Sequence, residues 1–209
     1  MCSNRPCKSG MAAGEDPGQR ATAQRGTVGF GLVRGDLLDK ELKLLFSRKE
    51  IAETVARMAR EISVDYADKK LVLVGVLKGA FVFLADLARE LTIPATIEFV
   101  RIASYGANKE SCGKITVTKD VEISLEGKDV LIIEDIVDTG LSLQFLIEHL
   151  RAHHPASLRL CALVDKKARR EVEVQVDYTG FAMTDGFIVG YGIDFNEHYR
   201  ALPEIFVVD

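Results

Sequence analysis

The sequence predicts an α/β fold in which helices cover both faces of a mostly parallel sheet, and three observations carry this prediction. Apolar runs of strand length occur at 71–77, 129–135 and 158–164. Amphipathic segments of helical length lie between them, so that strand, helix and strand follow one another twice. This order is typical of right-handed βαβ units with a parallel sheet. The 209 residues are 47% apolar and 28% charged, as in ordinary globular domains.

The first elements are a helix over 48–64, a buried strand over 71–77 and a buried helix over 80–91. Ser47 and Glu50 have the spacing of a capping box, which predicts where the first helix begins. The apolar face of that helix comprises Ile51, Val55, Met58, Ala59 and Ile62. The run LVLVGVL is apolar throughout, as expected of a strand that is covered on both faces.

A polar connection is predicted in the middle of the chain. Strands over 96–103 and 114–119 flank the segment SYGANKESCG, residues 104–113. Its polar, glycine-bearing composition indicates a mobile loop, although an inert surface connection would have the same composition.

The clearest unit begins with the strand DVLIIED over 129–135. The turn IVDTGLS follows, and then a helix that stops before Pro155. One face of that helix carries Leu143, Leu146, Ile147 and Leu150. The strand LRLCALV over 158–164 completes the unit.

The first 27 residues differ in composition from the rest of the chain. Residues 1–27 contain no Leu, Ile, Val or Phe, so they have too little apolar surface to offset the entropy cost of ordering. We expect a disordered tail over 1–27 and a single domain over 28–209. The tail has a net charge of +2 and the chain of −4, which leaves the domain at −6.

Composition and motif searches exclude several classes of protein. An acidic domain favours small ligands over nucleic acid, and no apolar run is long enough to span a bilayer. Four scattered cysteines and the absence of a secretory signal predict a cytoplasmic location. The histidines show no HExxH spacing, and neither GxGxxG nor a P-loop occurs, so zinc-enzyme, Rossmann and P-loop interpretations fail.

Polar residues directly after the strand over 129–135 form the strongest candidate site. Glu134 and Asp135 end an apolar run, where an unpaired buried carboxylate would cost several kcal/mol, so we expect them at the carboxyl edge of the sheet facing a cation or hydroxyl groups. The segment 138–142 adds hydroxyls, a glycine and a helix N-terminus, which favour an anion such as phosphate. The alternative is that Asp138 and Ser142 only cap the helix, and that the two carboxylates are solvated.

The segment VLIIEDIVDTGLS resembles the signature by which phosphoribosyltransferases bind phosphoribosyl pyrophosphate. Further motifs occur in the order and spacing of the hypoxanthine-guanine members of that family. They are Leu77-Lys78-Gly79, Ser104-Tyr105, Val164-Asp165-Lys166 and the run from Phe187 to Glu197. The resemblance implies a parallel-sheet phosphoribosyltransferase fold with a small hood or base-binding subregion and a mobile loop.

The resemblance implies roles for residues that bind the phosphoribosyl donor. Glu134 and Asp135 would bind the ribose hydroxyls and Mg²⁺, the implied cofactor. The 5-phosphate would be held by Asp138, Thr139, Gly140, Leu141 and Ser142.

Pyrophosphate would be bound by several other segments, again by resemblance. The backbone of Lys78 and Gly79 would contact it, with a cis peptide bond between these two residues. Ser104 and Tyr105 would reach it when the loop closes, and Arg200 would lie near it. Alternatively, Lys78 simply leaves the sheet edge toward water.

The purine site and the catalytic base are implied in the same way. Lys166 would donate to the 6-oxo group, Phe187 would stack on the base, and Ile188 would add backbone contacts. Asp194 would lie at the purine site and bind a second Mg²⁺. Asp138 would accept the proton from N7 of the purine. Without the motif, Lys166 would be read as part of a solvated basic cluster and Phe187 as core.

The implied activity is Mg²⁺-dependent transfer of the 5-phosphoribosyl group to hypoxanthine or guanine, in purine salvage. The partners would be phosphoribosyl pyrophosphate and a 6-oxopurine, with no nucleic acid or membrane, and the chain would form a homodimer or homotetramer. One rival is a nucleic-acid-binding regulator that keeps the fold as a sensor. A second rival is the same reaction with xanthine or adenine.

Overall fold

A computed structural model describes residues 41–105 and 114–208, which belong to one compact unit. The strands are β1 Leu42–Phe46, β2 Leu71–Leu77, β3 Ala95–Tyr105, β4 Lys114–Lys119, β5 Asp129–Val137, β6 Ser157–Lys166, β7 Tyr178–Met183, β8 Ile188–Val189 and β9 Ile205–Val208. The helices are α1 Arg48–Asp65, α2 Phe81–Glu90 and α3 Leu141–Arg151. The elements expected from the sequence agree with these bounds to within a few residues.

The main sheet has six strands in the order β4-β3-β2-β5-β6-β7. Only β4 runs antiparallel to its neighbour, and the other four pairings are parallel. The α/β fold with a mostly parallel sheet is therefore confirmed. Because β2, β5 and β6 are adjacent, the turns that follow them meet at one edge of the sheet.

Each face of the main sheet has its own apolar core. Alternate residues of a strand point to opposite faces, so Leu73 packs with α1 and α2, whereas Val72 and Val74 pack with α3. Helices thus cover both faces, as expected from apolar strands such as β2. The long helix α1 begins at the predicted capping box, where the backbone N–H of Ser47 donates to Glu50 Oε2 over 2.9 Å.

A second, three-stranded antiparallel sheet in the order β1-β9-β8 was not expected from the sequence. Leu42 pairs with Val208 and Ile188 pairs with Val207, so this sheet joins the beginning and the end of the described domain. Phe46 of β1 stacks on Phe181 of β7, with ring centroids 3.9 Å apart. The hood or base-binding subregion stays a prediction.

Two expectations fall on parts of the chain that the structure does not describe. The disordered tail over 1–27, with a domain boundary at residue 28, lies outside the described residues, and so do 106–113 of the expected mobile loop. Within 41–105 and 114–208, no helix is both long and apolar enough to cross a membrane.

Candidate active site

The carboxyl ends of β2, β5 and β6 bring most of the candidate residues together. Lys78 and Gly79 follow β2, Asp138 follows β5, and Lys166 ends β6. Because the three strands are hydrogen-bonded neighbours in parallel register, their final residues share one edge. This is the edge where open α/β sheets bind ligands.

Asp135 is buried and Glu134 is half-buried, so neither carboxylate is fully solvated. Asp135 is 7% exposed, and Glu134 Oε2 is a buried atom without a hydrogen-bond partner among the described residues. Burial, reinforced by repulsion from Asp135, raises the pKa of Glu134 well above its usual range. Burial also raises the pKa of Asp135, although hydrogen bonds from Glu134 and from backbone N–H groups oppose the shift. A bound cation would favour the ionised form of both carboxyl groups.

These two carboxylates fit a magnesium ion. Mg²⁺ binds oxygen ligands, and in substrate complexes it commonly takes one or two carboxylates together with substrate and water oxygens. The unpartnered oxygen of Glu134 and the buried carboxylate of Asp135 supply that donor set. Glu134 and Asp135 would therefore hold the ion.

Gly79 is required by its closeness to Asp135. A Cβ atom at position 79 would overlap the Asp135 carboxylate, so only glycine allows this approach. The expected cis bond between Lys78 and Gly79 is wrong by one position, because the described cis peptide bond joins Leu77 to Lys78. The Lys78–Gly79 bond instead lies inside the turn that Ala80 closes by donating its N–H to the Val76 carbonyl.

The segment 138–142 leads into a helix that has no side-chain cap among the described residues. Gly140 is the N-cap of α3 with a φ of 86°, and no described side chain caps the helix. The alternative that Asp138 or Ser142 only caps α3 is therefore wrong. The first N–H groups of α3 remain available, and both Leu141 and Ser142 are exposed beside them.

Arg170 supports this segment from the next turn, a role that the sequence did not reveal. Its Nε donates to the Asp138 carbonyl over 2.9 Å, and its second nitrogen Nη2 donates to the Asp165 carboxylate over 2.5 Å. The same nitrogen reaches the carbonyl of Lys166 over 3.2 Å. Two further backbone bonds, from the N–H groups of 171 and 172 to the Thr139 carbonyl, hold the segment in place.

Lys166 is buried between carboxylates. It is only 4% exposed, so it does not belong to a solvated basic cluster. Its Nζ lies 3.9 Å from Asp138 Oδ1 and 3.7 Å from Asp185 Oδ1, and both distances are too long for hydrogen bonds. The ammonium group is therefore charge-balanced, yet it keeps donors for a ligand. Arg169 also approaches Asp138, at 3.4 Å.

Phe187 follows Asp185 by two residues and is not a core residue. It is 45% exposed, and its ring meets that of Phe195 edge-on at 5.2 Å. The Phe187 ring thus has an aromatic neighbour and still stays accessible to a flat ligand. Ile188, in contrast, is buried in β8.

Four charged residues connect the turn after β2 with the segment 194–200. Lys78 Nζ lies 2.9 Å from Glu197 Oε2, and Arg200 Nη2 lies 2.7 Å from Asp194 Oδ1 and 3.4 Å from the same Glu197 oxygen. Lys78 is exposed but ion-paired, so it does not simply point into water. The sequence assigned no role to Glu197, and the 119 residues that separate it from Lys78 left no local signal.

Two expected site residues lie at the end of β3, next to β2 at the same edge. Ser104 pairs with Ile115 and Tyr105 with Lys114 in the antiparallel ladder of β3 and β4. Their contact with pyrophosphate stays a prediction. So does a second metal ion at Asp194, which is paired with Arg200.

Comparison with known proteins defines the class. The family model for the phosphoribosyl transferase domain matches residues 43–196. A Dictyostelium discoideum protein named hypoxanthine-guanine phosphoribosyltransferase is 51% identical over 165 residues, 77% of this chain and 92% of the relative. The hypoxanthine phosphoribosyltransferase of Salmonella typhimurium is 41% identical over 166 residues, 78% and 93% of the two chains.

Solved structures agree with these relatives. A hypoxanthine-guanine phosphoribosyltransferase from Bacillus anthracis superposes with a TM-score of 0.76 at 44% identity, covering 81% of this chain and 100% of that one. A Trypanosoma cruzi hypoxanthine phosphoribosyltransferase in a ternary substrates complex gives a TM-score of 0.75 at 37% identity, covering 82% and 95%. The chain belongs to the phosphoribosyltransferase family and is a transferase with its fold. Within that family, its relatives are the hypoxanthine-guanine phosphoribosyltransferases.

Proposed function

We propose that the chain transfers the 5-phosphoribosyl group from phosphoribosyl pyrophosphate to N9 of hypoxanthine or guanine. The products would be IMP or GMP and pyrophosphate, which is a purine salvage reaction. The observation that carries this proposal is the pairing of a buried lysine, Lys166, with the Asp138 carboxylate 3.9 Å away. The exposed ring of Phe187 follows two residues after Asp185, whose carboxylate lies 3.7 Å from the same lysine.

This pair matches one edge of a 6-oxopurine. O6 and N7 are neighbours on that edge, so a donor and a carboxylate side by side can contact both. Lys166 would donate to O6, and Asp138 would accept a proton from N7. Adenine carries an amino donor at position 6 and would face the Lys166 ammonium with no acceptor, which favours 6-oxopurines.

One bond forms and one bond breaks at C1′ of the ribose. N9 of the purine forms a bond to C1′ of the ribose while the C1′–oxygen bond to pyrophosphate breaks, with bond breaking ahead and positive charge on the ribose. The purine loses its N7 proton to Asp138, whose backbone carbonyl accepts a hydrogen bond from Arg170. Phe187 would hold the base plane against the ribose.

The phosphoribosyl donor would lie across the turns that follow β5 and β2. The N–H groups at the start of α3 and the hydroxyls of Thr139 and Ser142 would bind the 5-phosphate. The backbone at Lys78 and Gly79 would contact pyrophosphate, with Arg200 close by. Mg²⁺ held by Glu134 and Asp135 would neutralise charge that develops on pyrophosphate.

Steady-state rates with hypoxanthine, guanine, xanthine and adenine, in Mg²⁺ and in excess chelator, test the proposal. We expect turnover of hypoxanthine and guanine, weak use of adenine, and loss of activity when the metal is removed. Full activity in chelator would contradict the metal role. Preference for adenine or xanthine would support the alternative hypothesis that the chain carries out the same reaction with a different purine.

We further propose a cytoplasmic homodimer or homotetramer that does not bind nucleic acid. The net charge of the chain is −4, which disfavours polyanions. Light scattering of the purified chain measures the assembly. A salt-dependent gel shift with cellular RNA or DNA would instead support the regulatory rival, because phosphate-driven binding weakens steeply with salt.

A further inference from the structure

Two histidines and an aspartate meet at the end of α3 that lies away from the active site. His149 lies in the last turn of α3, and His153 lies two residues beyond the end of the helix, in the turn that follows it. The two imidazole rings have their centroids 5.3 Å apart. Asp120, directly after β4, reaches both of them. Its Oδ2 atom is 2.8 Å from His149 Nε2 and 3.8 Å from His153 Nε2, and one ligand atom from each residue lies within 4.8 Å of the others.

The spacing of these atoms is close to that of a coordinated metal. Zinc bonds of about 2.0–2.2 Å in tetrahedral geometry place neighbouring ligand atoms roughly 3.3–3.5 Å apart. The two distances to Asp120 Oδ2, 2.8 and 3.8 Å, lie on either side of that value. Small side-chain rotations would bring the three atoms to equal distances from one ion.

The surroundings orient the ligand atoms. Asp120 Oδ1 accepts the backbone N–H of Val121 over 2.8 Å, which leaves Oδ2 for the two imidazoles. The Phe145 ring lies nearly parallel to that of His149, at 13°. All three candidate ligands are half-buried, so one side stays open to water as a fourth ligand. The carbonyl end of α3 carries partial negative charge, which also favours a cation there.

We propose that Asp120, His149 and His153 bind a late first-row transition-metal dication, of which Zn²⁺ is the probe of choice. Two imidazole nitrogens and one carboxylate suit such ions, whereas Mg²⁺ prefers oxygen ligands alone. The site is separate from Glu134 and Asp135, because it lies at the other end of α3, about 12 Å along the helix axis from Leu141. The ion would join the connection after β4 to α3 and so stabilise the fold. This inference does not depend on the proposed activity.

Titration calorimetry of the full chain with ZnCl₂ tests the site. The protein is first stripped with chelator, and the buffer contains excess Mg²⁺ to occupy oxygen sites and a phosphine reductant to keep cysteines reduced. We expect saturable Zn²⁺ binding that becomes at least tenfold weaker in H149A, in H153A and in D120N, which keeps the shape of the carboxylate. Zn²⁺ should also raise the melting temperature of the parent chain and not that of these variants.

His154→Asn is the matched control. His154 neighbours the cluster in sequence but is not part of it, and its φ of 53° is one that asparagine tolerates. This variant should bind Zn²⁺ like the parent chain. Equal Zn²⁺ affinity and stoichiometry in the parent and in H149A/H153A would overturn the proposal, because the uptake would then belong to other groups. An absence of saturable binding by the parent chain would also overturn it.

Discussion

The turns after β5 and β6 lie side by side, yet they are held in very different ways. The segment 138–142 is exposed at its end, has an uncapped helix start and depends on its neighbour for support. The turn after β6 supplies that support through Arg170, whose side chain is 7% exposed and donates to groups of both turns. The segment that would bind a phosphate thus stays accessible, and hydrogen bonds from the adjacent turn hold its backbone in place.

Removing Arg170 should have the largest effect on this arrangement. Arg170→Ala removes the hydrogen-bonded partner of the buried Asp165 carboxylate and leaves only the exposed Lys167 ammonium 4.0 Å away, so we expect a loss of about 3–5 kcal/mol in the free energy of unfolding. Denaturant titration measures it. The control is Arg169→Ala, which removes an exposed side chain with one ion pair and should change stability by less than about 0.5 kcal/mol. Equal losses in both variants would refute the support role of Arg170.

Asp138→Asn tests the segment 138–142 through its effect on the reaction rate and not on stability. The substitution keeps the shape but removes the proton acceptor, so kcat should fall by about 10²-fold or more while donor KM changes little. Initial rates over a range of donor concentrations separate the two constants. An unchanged kcat would exclude Asp138 as the proton acceptor.

Lys166→Ala tests the proposed purine contact at the end of β6, beside the turn that supports the segment 138–142. Loss of a charge-assisted hydrogen bond should lower kcat/KM for hypoxanthine by roughly 10–100-fold and narrow the gap to adenine. Lys167, whose side chain is 75% exposed, is the control, and Lys167→Ala should have little effect. Comparable losses in the two variants would indicate a diffuse basic patch and no specific contact to O6.

Gly140→Ala tests whether donor binding by the segment 138–142 depends on the backbone conformation of Gly140. Alanine would adopt a φ of 86° unfavourably, and its methyl group would overlap the Val172 carbonyl, so donor KM should rise about tenfold. Gly127→Ala has a positive φ of 66° but open space around the new methyl group, which separates backbone strain from the clash. An equal rise in donor KM for both variants would remove the special role of Gly140.

The smallest effect is expected for deletion of residues 1–27. Because that segment lacks Leu, Ile, Val and Phe, its removal should leave kcat and melting temperature nearly unchanged. Thermal melts and rates of the shortened chain measure this. A drop of several degrees would mean that the segment packs on the domain.

The fold was predictable where the signal was local. Apolar runs and the capping box at Ser47 indicated the elements of the main sheet and α1, and the motif after β5 identified the candidate site. The small sheet was missed because β8 and β9 are two and four residues long and pair with β1 from the other end of the domain. Short strands whose partners are distant leave no periodic pattern.

The contacts within the candidate site were less predictable for the same reason. Arg170 read as one of several basic residues, and only the turn geometry brings its side chain to Asp138 and Asp165. The ligand cluster at α3 combines two histidines of recognisable spacing with Asp120, which is 29 residues from His149. Sequence spacing within one element gives the faces of a helix, but pairings across elements follow from the packed fold.

The pairing of Leu42 with Val208 has a consequence for protein engineering. Directly opposed residues of an antiparallel ladder have Cα atoms about 5 Å apart, so the first and last described strands leave the domain at neighbouring points. A short linker between the two ends would therefore allow circular permutation of the domain. The exposed turn at Gly127 is a suitable position for the new termini. The domain would likewise tolerate insertion into a surface loop of a host protein, because such a loop need not widen to hold both ends.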